Sequence, residues 1–415
     1  MNIAIIGSGI SGLTAAYLLQ RRHSITLYEA ENYVGGHTHT VDVDLQGQHV
    51  AVDTGFIVCN DRTYPNFLKL LDQLGVEKTP TAMGFGIRSD RTGIEYSTTS
   101  LNHLFAQRRN LVNRDFLGML RGILRFNRQV TRSLLEGGLD GDISLGDYLQ
   151  ENRYSRFFID HYIVPMGAAI WSIGVGQMME FPLLAFARFF HHHGLLTVND
   201  QPQWYFIKGG SQSYVRKLTA PFDDRIKLST PVDAVMRNSD GVTVKARGES
   251  VEYDKVVFAT HSDLTLKLLA DPSPEETDIL SAIRYQHNDI VLHTDTAILP
   301  KNRKAWAPWN YHLQADGNRA ATLTYNMNML QQISAPEVLC VTLNETELID
   351  PAKIVGRYDK SHPVFDRESI AAQKRYDDIG GKNNTYFCGA YWFNGFHEDG
   401  VNSGLRVARD FGEVL

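Results

Sequence analysis

Three glycines near the start of the chain have the spacing of a loop that binds a pyrophosphate. Gly7, Gly9 and Gly12 follow the apolar run 3–6 and precede an apolar stretch with helical periodicity. In such a strand–turn–helix unit the first glycine permits the sharp turn, the second lets a pyrophosphate approach the backbone, and the third lets the helix pack against the strand. The free N–H groups and the positive end of the helix dipole then face the phosphates. The motif predicts dinucleotide binding, and a tight turn without a ligand is the alternative interpretation.

A carboxylate at the end of the second predicted strand narrows the kind of dinucleotide. Glu29 lies in the run 24–30, where its carboxylate can accept hydrogen bonds from both ribose hydroxyls of an adenosine and would repel a 2′-phosphate. No arginine follows immediately, so NADP is disfavoured. The second glycine pair, Gly35-Gly36, is not needed for NAD binding and resembles the extension found in FAD proteins.

The sequence E-A-x-x-x-x-G-G-H-T of residues 29–38, followed by D-x-G-F in the predicted strand 51–57, resembles the flavin amine oxidase superfamily. This group includes monoamine oxidases, phytoene-desaturase-like enzymes, protoporphyrinogen oxidase and flavin-dependent fatty-acid isomerases. The resemblance implies an α/β fold, in which a Rossmann-like, glutathione-reductase-like FAD-binding domain receives an inserted mixed α+β substrate domain. Relatives usually carry Arg or Lys after the glycine pair, whereas this chain has His37, which would act through an N–H with a charge that depends on pH.

The C-terminal segment resembles a second motif of the superfamily. Residues 395–404 match G-[FY]-x-E-G-A-x-x-[SA]-G, except that Asp-Gly replaces Gly-Ala at 399–400. The resemblance implies that the N-terminus of the last helix faces the flavin N1–C2 carbonyl and stabilises the negative charge that develops there on reduction. Phe396 and Trp392 are expected to flank the flavin. Cys388 does not match the position of a flavin-linking cysteine, so non-covalent FAD is expected.

The expected FAD-binding residues come from these motifs and from a predicted strand whose backbone would pair with the adenine edge at Val232. They are Gly7, Gly9, Ser11, Gly12, Glu29, Ala30, Gly35, Gly36, His37, Thr38, Gly55, Phe56, Ile57, Val232, Gly389, Gly395, Phe396 and Val401. Four catalytic candidates are chosen only by their position in the chain: His287, Asn288, Tyr325 and Trp392. The strand around His287 lacks the lysine that relatives often carry near flavin N5.

The composition describes a globular protein with no sign of nucleic-acid or metal binding. The 415 residues predict two domains, and the net charge of −6 argues against a general nucleic-acid binder. Cys59, Cys340 and Cys388 include no CxxC pair, so neither a disulfide framework nor a metal site is expected. The chain has no run of about eighteen apolar residues, and its start does not resemble a signal peptide. A cytoplasmic protein is therefore expected.

The motifs divide the chain into alternating segments of two domains. Residues 1–78, 205–280 and 379–415 are assigned to the FAD-binding domain, and residues 79–204 and 281–378 to the helical and sheet parts of the substrate domain. Apolar patterns within these segments predict strands at 24–30, 51–57, 226–235, 253–260, 289–293, 321–325 and 385–390, a helix at 64–74 and a loop at 174–176. A terminal helix that ends at 411 is expected with the motif at 394–404.

Two stretches of the helical part carry hypotheses about the substrate and the surface. Residues 157–196 are apolar and aromatic but broken by Gly and Pro, so they could form the wall of an apolar substrate cavity, an ordinary helical core, or both. Residues 101–132 carry seven arginines and one acid, so the predicted helix has either an ordinary solvated cationic face or a face that lies against the inner surface of a membrane. Residues 191–193 are three histidines that point in different directions on a helix and are poor joint metal ligands.

The sequence thus predicts an FAD-dependent oxidoreductase that accepts hydride from an apolar, fatty-acyl or lipid-like substrate, by desaturation or oxidation. PMGAAIWS, FPLLAFARFF and KAWAPWNY resemble bacterial flavoproteins associated with cyclopropane-fatty-acid-synthase-like methyltransferases, which implies a lipid methyltransferase as partner. Three alternatives stay open: an amine oxidase with Trp306 and Trp309 around the ammonium, a redox-neutral double-bond isomerase, and a non-catalytic flavoprotein partner of the methyltransferase. The substrate, the electron acceptor and the oligomeric state do not follow from the sequence.

Overall fold

Strands account for two main sheets and three small ones in the computed structural model, which describes residues 1–197, 199–315 and 322–415. In chain order the strands are β1 (Asn2–Ile6), β2 (Ser24–Tyr28), β3 (Thr40–Leu45), β4 (Gln48–Asp53), β5 (Val58–Asn60), β6 (Lys78–Thr81), β7 (Phe85–Ser89), β8 (Glu95–Ser97), β9 (Trp204–Ile207), β10 (Ile226–Lys227), β11 (Val232–Arg237), β12 (Val242–Ala246), β13 (Glu249–Tyr253), β14 (Lys255–Phe258), β15 (Tyr285–His293), β16 (Trp309–Leu313), β17 (Leu323–Asn326), β18 (Cys340–Leu343), β19 (Ile354–Pro363) and β20 (Thr385–Phe387).

Helices are concentrated in the middle of the chain. They are α1 (Ile10–Leu19), α2 (Pro65–Gln73), α3 (Leu101–Leu104), α4 (Arg114–Leu135), α5 (Leu145–Glu151), α6 (Arg156–Phe158), which continues through a π-helical turn (Ile159–Ile163) into α7 (Val164–Trp171), then α8 (Val175–Met179), α9 (Leu183–His192), α10 (Gln212–Thr219), α11 (Ser262–Leu268), α12 (Pro274–Ser281), α13 (Met327–Leu330), α14 (Arg367–Gln373) and α15 (His397–Asp410). None of the helices in these described ranges is both long and apolar enough to cross a membrane.

Five parallel strands form the sheet that carries the glycine turn, in the order β10–β2–β1–β14–β20. β1 is buried from Ile3 to Ile6 and runs parallel to both β2 and β14, which accounts for its unbroken apolar sequence. α1 and α15 pack on one face, and the antiparallel sheet β11–β12–β13 packs on the other. The strands predicted at 24–30, 253–260 and 385–390 therefore lie in one sheet, with β20 at its edge.

A seven-stranded mixed sheet has the order β19–β15–β18–β17–β16–β7–β8. β7 and β8 come from segment 79–204, which was expected to supply helices, yet they join the sheet built from segment 281–378. They do so because β7 pairs in parallel with β16. At the other edge, β19 pairs antiparallel with β15 along its whole length.

Helices α4–α9 pack around an aromatic core that they share with the seven-stranded sheet, through Ile87 of β7 and Tyr96 of β8. Phe126, Phe158, Phe186 and Phe190 are fully buried, and the rings of Phe186 and Phe190 stack with 3.9 Å between centroids. The apolar stretch 157–196 therefore contributes to a helical core, while residues 191–193 and 196 at its end also line a cavity.

Two predicted strands are broken in the structure. The strand predicted at 51–57 ends at Asp53, because residues 54–56 turn away to hydrogen-bond residues 37–39 through Thr54 and Phe56. The strand predicted at 226–235 is two strands, β10 and β11, in different sheets. The chain turns at residues 228–229, where Ser229 has φ +46°, and Pro231, which has no backbone donor for a continuous ladder, precedes β11.

A loop was predicted at 174–176, a strand at 321–325 and a helix at 64–74. The loop predicted at 174–176 is wrong, because Gly174 is the N-cap of the short helix α8. Ala321, the first residue of the predicted strand 321–325, lies outside the described residues, and β17 covers the rest of that strand. The helix predicted at 64–74 is confirmed as α2, and Gly75 follows it with φ +59°.

Candidate functional site

The three glycines of the first turn serve different purposes. Gly7 has φ +102°, and a Cβ there would lie 2.8 Å from the carbonyl oxygen of Ala259. A Cβ on Gly12 would lie 2.2 Å from the Gly7 carbonyl oxygen, so close packing of α1 on the sheet requires glycine at both positions. A Cβ on Gly9 would meet no atom within 4 Å. The open space in front of Gly9, at the start of α1, is the cradle that a pyrophosphate would fill.

The predicted ribose carboxylate borders this turn. Glu29 Oε2 accepts hydrogen bonds from the backbone N–H of Ser8 at 2.9 Å and from its hydroxyl, and Glu29 Oε1 accepts the Glu31 N–H at 2.9 Å. The Glu29 carbonyl accepts the N–H of Thr230 at 2.7 Å, which brings Val232 and the start of β11 to the same end of the site. The carboxylate is thus fixed beside the first turn, with lone pairs left for a ribose.

The second glycine pair folds directly onto the first turn. Gly35 and Gly36 both have positive φ, at +132° and +61°, and Gly35 forms a parallel bridge with Gly9. A Cβ on Gly36 would lie 3.1 Å from the Gly9 Cα. The two glycine segments therefore bound one narrow space, which fits the extended contact along a pyrophosphate expected for FAD.

Gly55 has a different role from the one expected. A Cβ there would lie 2.1 Å from the His37 carbonyl oxygen, which accepts the N–H of Phe56 at 2.8 Å. The close approach that requires glycine is therefore between two segments of the chain and does not by itself indicate a ligand. It holds His37 and Phe56 next to each other along the same site.

His37 is half-buried, and its Nε2 atom is buried and has no hydrogen-bond partner among the described residues. Its ring lies 5.2 Å from the ring of His362 and 6.4 Å from that of His261, measured between centroids. Burial and these neighbouring histidines hold the pKa of His37 well below its usual value. A pKa below the usual value favours the neutral imidazole at pH 7, so His37 would act through an N–H without a permanent charge. An orphaned buried nitrogen beside the glycine pair suits a hydrogen bond to FAD.

A cation does reach the glycine pair, from a distant part of the chain. The Lys360 Nζ on β19 donates to the Gly36 carbonyl oxygen at 3.0 Å and to the Tyr33 hydroxyl at 2.7 Å. Burial lowers the pKa of Lys360, while Glu29 and Glu31 act in the opposite direction. Sequence reasoning missed Lys360, because nothing in its local sequence distinguishes it from a surface residue of an edge strand.

The other end of the site is the start of α15. His397 stacks on Phe56 with 3.7 Å between ring centroids, and its Nε2 is hydrogen-bonded to the Tyr214 hydroxyl at 2.7 Å. The same hydroxyl is 2.6 Å from Thr38 Oγ1. Burial lowers the pKa of His397 to about 3, so this ring is also neutral. Tyr214 and His397 therefore join the segment after the glycine pair to the terminal helix.

The terminal motif fixes α15 against α1 and α2. A Cβ on Gly400 would lie 2.5 Å from the Ile10 side chain, and one on Gly404 would lie 2.6 Å from the Ser11 carbonyl oxygen. Glu398 accepts the N–H groups of Asn66 and Phe67, which caps the start of α2. The glycine at position 400 is therefore required by helix packing.

Of the other residues predicted to contact the cofactor, some lie along the site and others are packed in the core. Ser11 lies in the first turn of α1, and Ala30 follows Glu29 at the adenosine end. Val401 is buried against α1 in the interior of α15, where its N–H belongs to the helix, and Ile57 packs in the core near β3 and β4. The other two lie at the turn before α15: Gly389, whose N–H donates to Ser403 Oγ, and Gly395, with φ +89°.

Only one of the four catalytic candidates contacts the cluster of His37, His261 and His362. Asn288 Nδ2 donates to His362 Nδ1 at 2.9 Å. The His287 side chain is 63% exposed and faces Asp359 instead. Tyr325 packs edge-on against Trp309 within the large sheet. Trp392 packs in the core on the face of the parallel sheet opposite α1, against Tyr376, and its place beside the flavin stays a prediction.

A cavity of about 720 Å³ adjoins the start of α15. Phe396 forms part of its wall and stacks on Phe189 with 4.7 Å between centroids. The wall also includes Arg62, Tyr64, Asn66, Thr131, His191, His192, His193, Leu196, Asp200, Glu398, Asp399 and Asn402. Within the described part of the chain no group of three or more His, Cys, Asp or Glu side chains is arranged to hold a metal ion.

The glycine cradle, the ribose carboxylate and the helix end beside a cavity together have the arrangement of an FAD-binding site. The chain belongs to the family of flavin-containing amine oxidoreductases, which it matches over residues 10–348. FAD is accordingly its cofactor.

Individual relatives are distant. An L-amino-acid oxidase of Siganus canaliculatus is 22% identical over 331 residues, which cover 71% of this chain and 56% of the oxidase, so the chain spans little more than half of that relative. The zeta-carotene desaturase of Solanum lycopersicum is 35% identical over 80 residues, which cover 19% of this chain and 13% of the desaturase.

Solved structures of the same fold cover nearly the whole chain. A putrescine oxidase variant with redesigned cofactor binding has a TM-score of 0.70 at 17% identity, over 99% of this chain and 98% of the oxidase. A CLA-producing fatty acid isomerase from P. acnes has a TM-score of 0.67 at 15% identity, with the same coverage. At such identities the likeness shows the fold alone.

Proposed function

We propose that the protein desaturates the acyl chain of an amphiphilic lipid, with FAD as the hydride acceptor. The observation that carries the proposal is the position of the cavity, which adjoins Phe396 at the start of α15 and also includes Thr131 of α4 in its wall. Arg128 and Arg132 lie near Thr131 on the exposed side of α4. An acyl chain can therefore extend toward the flavin end while an anionic head group stays among the arginines.

Hydride acceptance is the chemistry that FAD supplies in this class of enzyme. The residues of the chain hold the cofactor and orient the substrate. Gly9 and Gly36 would face the pyrophosphate, Glu29 would face the adenosine ribose, and the first N–H groups of α15 would face the flavin. His37 offers its unpartnered Nε2, and Asn288 orients His362 behind it.

The amine-oxidase alternative is weaker because the elements expected to recognise an ammonium are engaged elsewhere. Trp306 already carries Arg303 over its ring and donates its N–H to the Pro300 carbonyl, while Trp309 packs on Tyr325 in another cluster. The two tryptophans therefore do not form a cage.

The carboxyl groups in the cavity wall are also committed. Asp200 pairs with Arg62, and Glu398 caps α2. Burial raises the pKa of Asp399 to about 7, which reduces its charge at neutral pH. Among the described residues, none of these carboxylates is free to bind a substrate ammonium.

The test is anaerobic reduction of the FAD-loaded protein by candidate substrates. Phospholipid vesicles and free fatty acids form one set, and primary amines, polyamines and amino acids form the other. Loss of absorbance at about 450 nm with lipid, together with a product that has lost two hydrogens, supports the proposal. Bleaching by amines alone contradicts it, as does lipid isomerisation without bleaching or oxygen use, or the absence of any turnover.

A variant in the cavity wall tests whether this cavity holds the lipid. Thr131→Trp places a bulky side chain in the cavity wall on α4, away from the glycine turns. We expect it to abolish turnover of the lipid while leaving the flavin spectrum and its reduction by dithionite unchanged. Glu136→Trp, at the exposed end of the same helix, is the matched control.

A further inference from the structure

The exposed face of α4 consists of arginines and leucines. Arg114, Arg121 and Arg128 are seven residues apart, so they lie within about 40° of each other on the helix, and each is exposed. Leu124 and Leu135 border the same face and are 60% and 70% exposed. The opposite face is buried and packs into the aromatic core.

This face has an unusual charge pattern for its setting. The chain has a net charge of −6, yet residues 101–132 contain seven arginines and one acid. That acid, Asp115, lies about 100° away from Arg114 around the helix. In the described ranges of the chain, no carboxylate lies within ion-pair distance of Arg114, Arg121 or Arg128. An ordinary surface helix carries charges of both signs.

Apolar side chains are also exposed just before the helix. Leu101, Leu111 and Val112 point outward, with Val112 82% exposed, although solvated loops usually carry polar residues here. Cationic side chains alone would suit several acidic partners. Cations interleaved with exposed leucines suit a surface that has both phosphates and an apolar layer beneath them.

We propose that the α4 face, defined as Leu111, Val112 and the exposed side of α4, docks on an anionic phospholipid bilayer. The leucines and Val112 enter the head-group boundary, and the arginines contact lipid phosphates. Docking would bring the cavity next to the membrane, since Thr131 belongs to both α4 and the cavity wall. The docking proposal stands apart from the proposed desaturation, because vesicle binding is measured without any turnover of a substrate.

Vesicle sedimentation of the FAD-loaded, full-length protein tests this surface. We expect binding to phosphatidylcholine vesicles that contain a third phosphatidylglycerol, weaker binding as salt rises, and little binding to pure phosphatidylcholine. Each arginine contributes roughly fivefold to such binding, so Arg121→Glu/Arg128→Glu should weaken it by at least about 25-fold. Leu124→Ser/Leu135→Ser should weaken it without removing the salt dependence.

The matched control reverses the same number of charges elsewhere. Arg216→Glu/Lys245→Glu changes two exposed cations on other elements and should bind vesicles like the unmodified protein. The proposal is overturned if the unmodified protein ignores anionic vesicles, or if the control loses as much binding as the α4 variant. Flavin absorbance and circular dichroism confirm that each variant is folded and loaded.

A second inference comes from an independent observation, the contact of Lys360 with the glycine pair. Lys360 Nζ lies 3.0 Å from the Gly36 carbonyl, and Gly36 in turn packs against Gly9. His37, which stands where relatives usually carry a cation, has its ring beside His362 on the same strand as Lys360. We infer that Lys360 supplies, from the edge of the large sheet, the positive charge for the FAD pyrophosphate that position 37 lacks.

FAD titration of the deflavinated protein tests this role independently of any turnover. Lys360→Met should raise the dissociation constant of FAD by about 10–100-fold and flatten its dependence on salt, whereas Lys360→Arg should retain most of the affinity. Arg357→Met removes an exposed cation from the same strand and is the matched control. Adding His37→Arg to Lys360→Met should restore affinity by returning the cation to its usual position.

The inference is contradicted if Lys360→Met binds FAD like the unmodified protein, or loses no more affinity than Arg357→Met. The thermal midpoints of the variants without FAD show whether a loss reflects unfolding instead. The inference is also contradicted if Lys360→Met lowers the thermal midpoint together with the FAD affinity and His37→Arg does not restore that affinity. Lys360 would then be only a structural contact between β19 and the glycine pair.

Discussion

Gly9 and Gly12 of the first turn serve different purposes. Gly9 leaves space for a ligand, and Gly12 is required by the packing of the fold. Gly9 has φ −65°, which alanine adopts without strain, and a Cβ there meets nothing within 4 Å. A Cβ on Gly12 would lie 2.2 Å from a backbone oxygen and 2.8 Å from the Ala259 side chain. Gly9→Ala and Gly12→Ala are therefore the same chemical change in opposite surroundings.

The expected magnitudes differ accordingly. Overpacking against movable side chains costs about 1–3 kcal/mol. The atom nearest to a Cβ on Gly12 is a backbone oxygen, so Gly12→Ala should lower the free energy of unfolding by at least about 3 kcal/mol. Gly9→Ala should change the unfolding free energy by less than about 1 kcal/mol, because reduced freedom of the unfolded chain offsets the poorer N-cap. Its methyl group instead fills the cradle, and losing one charge-assisted hydrogen bond to a phosphate lowers FAD affinity by about 10–100-fold.

Urea denaturation of the deflavinated proteins measures the first effect, and quenching of FAD fluorescence measures the second. Gly118→Ala is the control, because a Cβ at this position of α4 also meets nothing within 4 Å. The reasoning is refuted if Gly9→Ala binds FAD as tightly as Gly118→Ala. It is also refuted if the Gly9 variant unfolds as easily as the Gly12 variant, since the space in front of Gly9 would then be needed by the fold.

Three further changes have defined outcomes. Arg237→Met leaves Glu276 as an unpaired buried charge, since their side chains are 3% and 2% exposed, so urea denaturation should show a loss of about 3–5 kcal/mol that Arg237→Met/Glu276→Leu partly recovers. Tyr214→Phe leaves two buried hydrogen-bonding groups without a partner and should cost about 2 kcal/mol by the same assay, with no change if water replaces the hydroxyl. Because burial raises the pKa of Asp399 to about 7, the native state keeps a proton that the unfolded chain has lost, and stability should fall as pH rises from about 4 to 7. Asp399→Asn should flatten this fall in urea midpoint, and parallel profiles for the two proteins would contradict the assignment.

Local sequence was sufficient for the parts of the site that depend on neighbouring residues. The strand–turn–helix unit around Gly7 and Gly12 could be predicted because a buried parallel strand and a tight turn each leave a pattern within a few residues. The same holds for α15, whose packing on α1 requires glycine at 400 and 404. These features identified the class of protein and the cofactor.

The parts of the site that come from distant segments left no such pattern. Lys360 and His362 reach the glycine pair only because β19 pairs with β15 at the edge of the large sheet. His261 stacks on Tyr285 after the parallel strand β14 ends. The sequence could not show that the His287 side chain is exposed while Asn288 is buried, because neighbouring residues of a strand face opposite ways and register alone decides which of them is buried.

The motifs identify the cofactor and not the substrate, because most of their recognisable residues hold segments of the chain together. Asp53 of the D-x-G-F motif is fully buried and accepts hydrogen bonds from Ser211 N–H at 2.9 Å and Gln331 Nε2 at 2.9 Å, so it joins β4 to the start of α10 and to the end of α13. Glu398 of the terminal motif caps α2, and Gly55 relieves a contact with the His37 carbonyl.

A substrate, by contrast, meets the side chains that such motifs leave unspecified. Those side chains are the wall of the cavity, where Thr131 and Phe396 come from segments that are about 265 residues apart. Substrate class should therefore respond to changes in this wall and at the α4 face, while changes in the motifs should alter folding or FAD affinity. A motif variant that switched substrate preference without changing either would show that this division of roles is wrong.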